Sequence, residues 1–313
     1  MDRISTSGAY NSVLNNLMAA EVAQSTAGNQ LSSSETATDL QGYGTSAETL
    51  TALQATGTQV TGYLNNTQTL SAKLSTQDTA LGEVAGAATS AVQSITQAIA
   101  AGNGTTLMAQ LQDALSTAVE GLNSTYNGEY LFAGGQVNTQ PVSATTLSDL
   151  TAAPSVGSLF NNDQRITTAQ IDQNTSISTG FLANQVGTPL FQALQSIQAY
   201  AQANGPFTGT LTSQQATFLT TQISSLDTVQ TNLNNVVAQN GQAQTAVTNA
   251  QSDLTQRQTM VAGLIGDITN ADLAKATTNL QQAQLSVQAA GQVFQALNNS
   301  SLLSSLSAVP AIA

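Results

Sequence analysis

Counting in sevens from Leu219 gives Leu219, Leu226, Leu233, Asn240, Val247, Leu254, Val261 and Ile268, with Ile223, Val229, Val236, Ala243, Ala250 and Leu264 falling between them. Apolar residues at this spacing predict one long helix over 211–268 with a single apolar seam. No proline interrupts it, and at about 1.5 Å per residue it would run roughly 85 Å, far beyond an ordinary globular helix. Such a helix needs a partner along its seam. Leu53, Val60, Thr67, Leu74, Leu81, Ala88 and Ile95 also stand seven apart, and Leu64, Leu70, Val84, Val92 and Ile99 fill the alternate places. Residues 45–100 therefore predict the partner, stopped at Ala101-Gly102-Asn103-Gly104, where Gly and Asn tolerate the left-handed backbone of a helix end.

The two ends repeat the pattern more weakly. Tyr10, Leu14, Leu17, Met18 and Val22 predict a short amphipathic helix that loosens through Gln30-Leu31-Ser32-Ser33-Ser34, and Asp39-Leu40-Gln41-Gly42-Tyr43-Gly44 suits a turn. Past Ile268 comes a polar break, Thr269-Asn270-Ala271-Asp272. Then Leu273, Leu280, Val287 and Phe294 are again spaced by seven, joined by Ala276, Ala283, Ala290 and Leu297, and the tail adds Leu302, Leu303 and Leu306. From Ala276 to Ala313 there is no charged side chain. Exposed helices normally carry charge on their outer face, so this one is either poorly ordered alone or enclosed by neighbours.

The middle reads differently. A helix is predicted on Leu107, Leu111, Leu115, Val119 and Leu122, after which four of the five prolines lie between residues 141 and 206. Asn127-Gly128, followed by Glu129-Tyr130-Leu131-Phe132, predicts a turn into a strand. Arg165 to Ile171 and Thr175 to Thr179 predict a hairpin around Asp172-Gln173-Asn174. Thr188-Pro189 suits an N-cap with proline at the first helical position, opening a helix on Leu190, Leu194, Ile197 and Ala201 that ends at Asn204-Gly205-Pro206. The predicted fold is mainly α: long antiparallel coiled-coil helices from both chain ends, with a small β-rich domain inserted in the middle. The expected divisions are 1–42, an N-terminal helix and connector pairing with 269–313; 43–132 and 188–268, the two halves of a long-helix domain; and 133–187, the β-rich insert.

Composition narrows the chemistry. Charged residues are 7% of the chain, against about 25% in soluble domains. The net charge is −12, and the only bases are Arg3, Lys73, Arg165, Arg257 and Lys275. That excludes the Lys/Arg tracks of a nucleic-acid partner. No apolar run reaches the ~18 residues of a membrane span, and the N-terminus has no basic segment followed by an apolar core, so neither membrane insertion nor a cleaved Sec-type signal is expected. With no His, Cys or Trp, the usual general base, thiolate nucleophile and imidazole ligand are missing, and no catalytic, cofactor-binding or metal residue can be named. Asp267 and Asp272 lack the alternating acids of a calcium loop and read as a polar hinge. Lys73 and Asp78 read as a solvated face, and the Gly102-Asn103-Gly104 and Gly134-Gly135 clusters as turns without phosphate-binding context. Asn240, at a core heptad position, is either a register-fixing buried amide or an ordinary polar interruption.

Several phrases together resemble the bacterial flagellin superfamily: Arg3-Ile4-Ser5-Thr6, Gln30-Leu31-Ser32-Ser33, Gly128-Glu129-Tyr130-Leu131-Phe132-Ala133-Gly134-Gly135, Asp272-Leu273-Ala274-Lys275-Ala276, and Gln288-Ala289-Ala290-Gly291-Gln292-Val293-Phe294. The Tyr130 to Gly135 phrase and the Val293-Phe294-Gln295-Ala296-Leu297 ending are more similar to its hook-filament junction branch than to filament flagellins. Ser34-Glu35-Thr36-Ala37 stands where the family usually has Gly-Lys-Arg, so no role of those bases carries over. The resemblance implies a structural subunit rather than an enzyme, exported unfolded through the flagellar channel without a cleaved signal peptide and located outside the cell. It implies partners that are copies of itself, neighbouring axial proteins on the hook and filament sides, and an export chaperone, with no cofactor. The subunit interface would then lie on the end helices, at Leu14, Leu17, Met18, Val22, Leu273, Leu280, Val287, Phe294, Leu297, Leu302 and Leu303. Filament flagellin, and a secreted coiled-coil adhesin or effector, are the alternatives.

Overall fold

A computed structural model describes the backbone of residues 2–306 and the side chains of residues 8–297. Among the described residues the helices are α1 (Asp2–Ser33), α2 (Ala47–Ala101), α3 (Leu107–Leu122), α4 (Leu147–Ala152), α5 (Ala183–Asn204), α6 (Ser213–Thr269) and α7 (Leu273–Leu306). Two 3-10 helices, Leu40–Ser46 where a turn was expected and Val156–Leu159, and two hairpins, β1 (Thr125–Tyr126) with β2 (Glu129–Tyr130) and β3 (Thr168–Asp172) with β4 (Thr175–Ser178), complete the described elements. The expected class, long helices from both ends and small sheets in the middle, is the one found. The chain divides into two compact units, one of Met1–Val60 with Arg257–Ala313, the other Thr61–Gln256.

In the larger unit the heptad seams of α2 and α6 face each other. Gln230 Nε2 donates to Thr89 Oγ1 at 2.6 Å, Asn240 Nδ2 to the Leu74 carbonyl at 3.1 Å, and Gln244 Nε2 to the same carbonyl at 3.4 Å. As α6 advances its partners step back along α2, so the two helices are antiparallel. Leu81, Val84 and Ile95 of α2 and Leu219, Leu226 and Leu233 of α6 are buried in one cluster with α3 and α5. Each fully buried aliphatic side chain contributes roughly 1.5–3 kcal/mol, and this seam is where the long helices gain their stability. α3 lies against α2 at Gly121, where a Cβ would stand 2.8 Å from the Ala80 carbonyl oxygen. Asp78 is half-buried rather than on a solvated face, because its Oδ1 accepts from Asn240 Nδ2 at 3.1 Å across the helix pair.

The start of α5 differs from expectation. Thr188-Pro189 does not cap it; the helix begins at Ala183, Leu182 is the N-cap without a side-chain bond, and Pro189 lies inside. Ala183, Val186 and Gly187 are buried on the same face as Leu190 and Leu194, and the Ala183 N–H donates to the Phe132 carbonyl at 2.9 Å. Burial of that face extends the helix upstream despite the donor that proline lacks. Its predicted end holds, at Asn204 followed by Gly205 with φ 94°.

Asn127 and Gly128 carry φ of 53° and 84°, the paired left-handed residues of a primed hairpin turn. The strands it joins are two residues each, after which Leu131, Phe132 and Ala133 leave the sheet for the core. The hairpin predicted at 165–179 is present but narrower. Residues 165–167 are held instead by Asp163, which accepts from the Arg165 N–H, and by Thr167, whose carbonyl accepts from Thr179 and Gly180. α4 had no sequence prediction. It is short and opened by a capping box, in which Thr146 Oγ1 accepts from the Asp149 N–H and the Asp149 carboxylate accepts from the Thr146 and Thr145 N–H groups.

In the smaller unit α1 is longer than the short helix expected, running unbroken through Gln30 to Ser33. The two connectors that flank the long helices are tied together: the Thr36 N–H donates to the Thr269 carbonyl at 2.6 Å and the Ala271 N–H to the Ser34 carbonyl at 2.9 Å. Asp272 Oδ1 accepts from the Lys275 N–H at 3.0 Å and so caps α7. Among the described residues no cluster of acids is arranged to hold a metal ion.

Candidate subunit interface

The terminal helices α1 and α7 pair antiparallel along most of their length. At one end the Tyr10 and Phe294 rings are 4.9 Å apart between centroids; at the other the Ser34–Ala271 bond closes the pair. Apart from Gly28 and Gln30, the partly or fully buried positions of α1 are Val13, Leu17, Ala20, Gln24, Ala27 and Leu31; apart from Gly291 and Leu297, those of α7 are Ala276, Leu280, Ala283, Val287, Ala290 and Phe294. Each set follows the i, i+3/i+4 spacing of a single face. Ala27, Ala276 and Ala283 are the most deeply buried among them, so the helices meet through small side chains.

This pairing sorts the expected interface residues into two groups. Leu17, Leu280, Val287, Phe294 and Leu297 lie on the inner seam between α1 and α7 or at its edge. Leu14, Met18 and Val22, by contrast, are 39%, 48% and 66% exposed, and Leu273 is also exposed. Leu302 and Leu303 belong to the helical run of α7, and their side chains lie outside the described residues. One apolar face on α1 was expected, but its apolar residues span more than one. Leu14, Met18 and Val22 rotate about 40° per step away from the seam. Leu285 and Val293 of α7 are exposed apolar residues that the heptad count passes over, since they stand outside the series of seven.

On another flank of the pair is an open groove of about 580 Å³, lined by Asn16, Ala20, Ala23, Thr26, Ala27 and Gln30 of α1 and by Asn279, Gln282, Ala283 and Ser286 of α7. No lining residue is charged. The charged side chains of the paired helices within the described residues are Glu21 on α1 and Lys275 on α7, both exposed, and at the connector end Glu35 and Asp39 line an adjoining hollow that shares Thr26 and Gln30 with the groove. The groove wall itself is therefore apolar and amide-rich, with acids only at its connector end, a character suited to packing against another protein. Among the described residues, no helix is long and apolar enough to cross a membrane.

No protein-family model matches the sequence, and no curated protein matches it either. Solved structures do share the fold. One, provisionally described as a flagellar hook-associated protein from Vibrio parahaemolyticus, superposes with a TM-score of 0.59 at 14% identity, over 72% of this chain and 97% of that one. Another, FlgL of Bacillus cereus, superposes with a TM-score of 0.51 at 12% identity, over 69% of this chain and 97% of that one.

Proposed function

We propose that this chain is a structural subunit of the bacterial flagellum, placed at the junction of hook and filament and joined through its terminal helix pair to copies of itself and to the axial proteins on either side. The observation that carries this reading is the α1–α7 pair, whose outer surface exposes Leu14, Met18 and Val22 and almost no charge. Leaving such a surface in water forgoes the stabilisation that burial against a neighbour would supply, about 25 cal/mol per Å² of apolar area. The shared fold supports it, since one of the structures that have it is described as a flagellar hook-associated protein and another as FlgL.

In this reading 1–42 and 269–313 form the inner layer of a tube, 43–132 and 188–268 the next, and 133–187 faces outward. The subunit leaves the cell through the flagellar export channel without a cleaved signal, its ends held by an export chaperone until they join the tube, and it acts outside the cell. The test is electron microscopy of the purified chain with and without isolated hooks. Decoration of hook ends, with at most short oligomers in their absence, is the expected result. Long tubes formed by the chain alone would make it a filament subunit instead. No binding to hooks and no polymer would remove the flagellar reading altogether.

A further inference from the structure

Leu14, Met18 and Val22 make a ridge along α1 about 12 Å long, and the groove beside α1 extends over residues 16–30, about 21 Å. At about 100° per residue, the ridge and the groove-lining Asn16, Ala23 and Gln30 are roughly a third of a turn apart around α1. A copy therefore cannot fill its own groove. Nor can two copies exchange ridges in one two-fold contact, because the two surfaces face different ways.

Building on the assembly reading above, we propose that the ridge of one copy seats in the groove of the next, so that neighbours are joined by a one-way contact between two different flanks of the same helix pair. Three features select a second copy as the occupant. The ridge is apolar and the groove is lined by alanine methyls and neutral amides, so neither surface leaves an ion unpaired in the other. The ridge is shorter than the groove and fits within it. The charges also match: Glu21 stands three residues after Met18 on the ridge side, and Lys275 lies about one turn before Asn279, the first α7 residue of the groove wall, on the helical stripe that continues through Gln282 and Ser286. Sliding the ridge five residues toward the connector, about 7.5 Å or nearly one and a half turns, centres it in the groove with Met18 level with Ala23 and brings Glu21 of one copy toward Lys275 of the next. In a surface with so few ions, that pair sets register more than affinity. A contact between unlike surfaces repeats from copy to copy and builds a ring or a helix rather than a closed dimer.

The chain has no cysteine, which makes cross-linking clean. Met18→Cys and Ala23→Cys are five residues apart on one helix, so the rise alone, about 7.5 Å, places them beyond disulfide reach within a chain. Subunits assembled on hook ends are oxidised and resolved by size. The double variant is expected to give a ladder of covalent oligomers, a mixture of the two single variants to give dimers only, and each single variant alone to give none. Hook-end assembly with no ladder, or with Met18→Cys cross-linking to itself, overturns the ridge-and-groove contact while leaving the assembly reading intact. Failure of the unsubstituted chain to bind hooks overturns both. As a second readout, Glu21→Lys should reduce hook-end occupancy and Lys275→Glu in the same chain should restore it; no loss, or no rescue, counts against the pairing.

Discussion

Asn240 reaches across the long helix pair to Leu74: its Nδ2 donates to the Leu74 carbonyl oxygen at 3.1 Å from a side chain that is wholly buried. The same nitrogen donates to Asp78 Oδ1 at 3.1 Å, while Asn240 Oδ1 has no partner. One residue before Asp78, Gln77 is also wholly buried, with neither amide atom paired. This polar layer lies between two apolar clusters. One begins at Ala80 and spreads through α3 and α5; the other joins Leu70, Leu74 and Val247 to Ile171 under the β3–β4 hairpin. Asn240 is thus a cross-helix bond rather than a simple interruption. A slip of one heptad would bury its amide against an aliphatic seam, so the layer fixes register at some expense in stability.

That expense can be measured. An unpaired buried amide costs on the order of 1–3 kcal/mol. Gln77→Leu is therefore expected to raise the unfolding free energy by about that amount. Asn240→Ala should lower it by a similar amount, because it strands the half-buried Asp78 carboxylate. Urea denaturation of both variants checks the pair, and a destabilised Gln77→Leu would show that the amide has a partner in solution.

Gly134 carries φ of 69°, and a Cβ there would stand 2.2 Å from Asp163 Oδ1. That oxygen is not free to move, since it accepts from the Gly135 N–H at 2.8 Å and the Arg165 N–H at 2.9 Å. Gly134→Ala should destabilise the protein by about 1–3 kcal/mol through left-handed strain and loss of these bonds. Gly128→Ala, also at positive φ but with open space around it, should lose only the smaller strain component. Thermal melts of the two variants separate the contributions.

The helical frame was legible because the apolar spacing of α2, α3 and α6 is long and regular, and tertiary packing only confirms it. The start of α5 was not. Thr188-Pro189 is a sound local signal, but burial of Val186 and Leu190 on a shared face outweighs it. α4 was hidden because six residues are too few to show a period. At the candidate interface the apolar residues of α1 were visible in the sequence. Which of them would face α7 was not, since Leu17 and Met18 are neighbours in the chain and differ only in which way the partner helix lies.

Asp149 is held below the usual carboxylate range by the backbone N–H groups of Thr145 and Thr146 and the Thr145 hydroxyl, and Asp163 by the N–H groups of Gly135 and Arg165. A carboxyl whose folded pKa is depressed stabilises the fold above its unfolded pKa, and that contribution disappears as pH falls through the folded value. Both contributions should be intact at neutral pH and fade below about 3.8, the ordinary Asp value. Both residues are half-buried with their carboxylates close to solvent, so the effect is small. Substituting both by Asn should flatten the acid limb of the stability–pH curve without moving its neutral plateau by more than the lost hydrogen bonds.

Met18 and Leu280 occupy different places on the terminal helix pair and should fail in different ways. Leu280 sits on the α7 face turned to α1, so Leu280→Asp puts a carboxylate between the helices, where leaving it charged and unpaired costs several kcal/mol. Hydrogen exchange along α1 should accelerate in the free subunit, while amides of α3 and α5, in the other unit, keep their protection. Met18 is 48% exposed. Met18→Asp should therefore change free-subunit stability by no more than about 0.5 kcal/mol and leave α1 exchange as it was, yet hook-end incorporation should be lost. Phe294→Asp, beside Tyr10 on the inner seam, should behave like Leu280→Asp. Incorporation of Met18→Asp at the unsubstituted level would mean that the exposed face of α1 is not where neighbouring subunits meet.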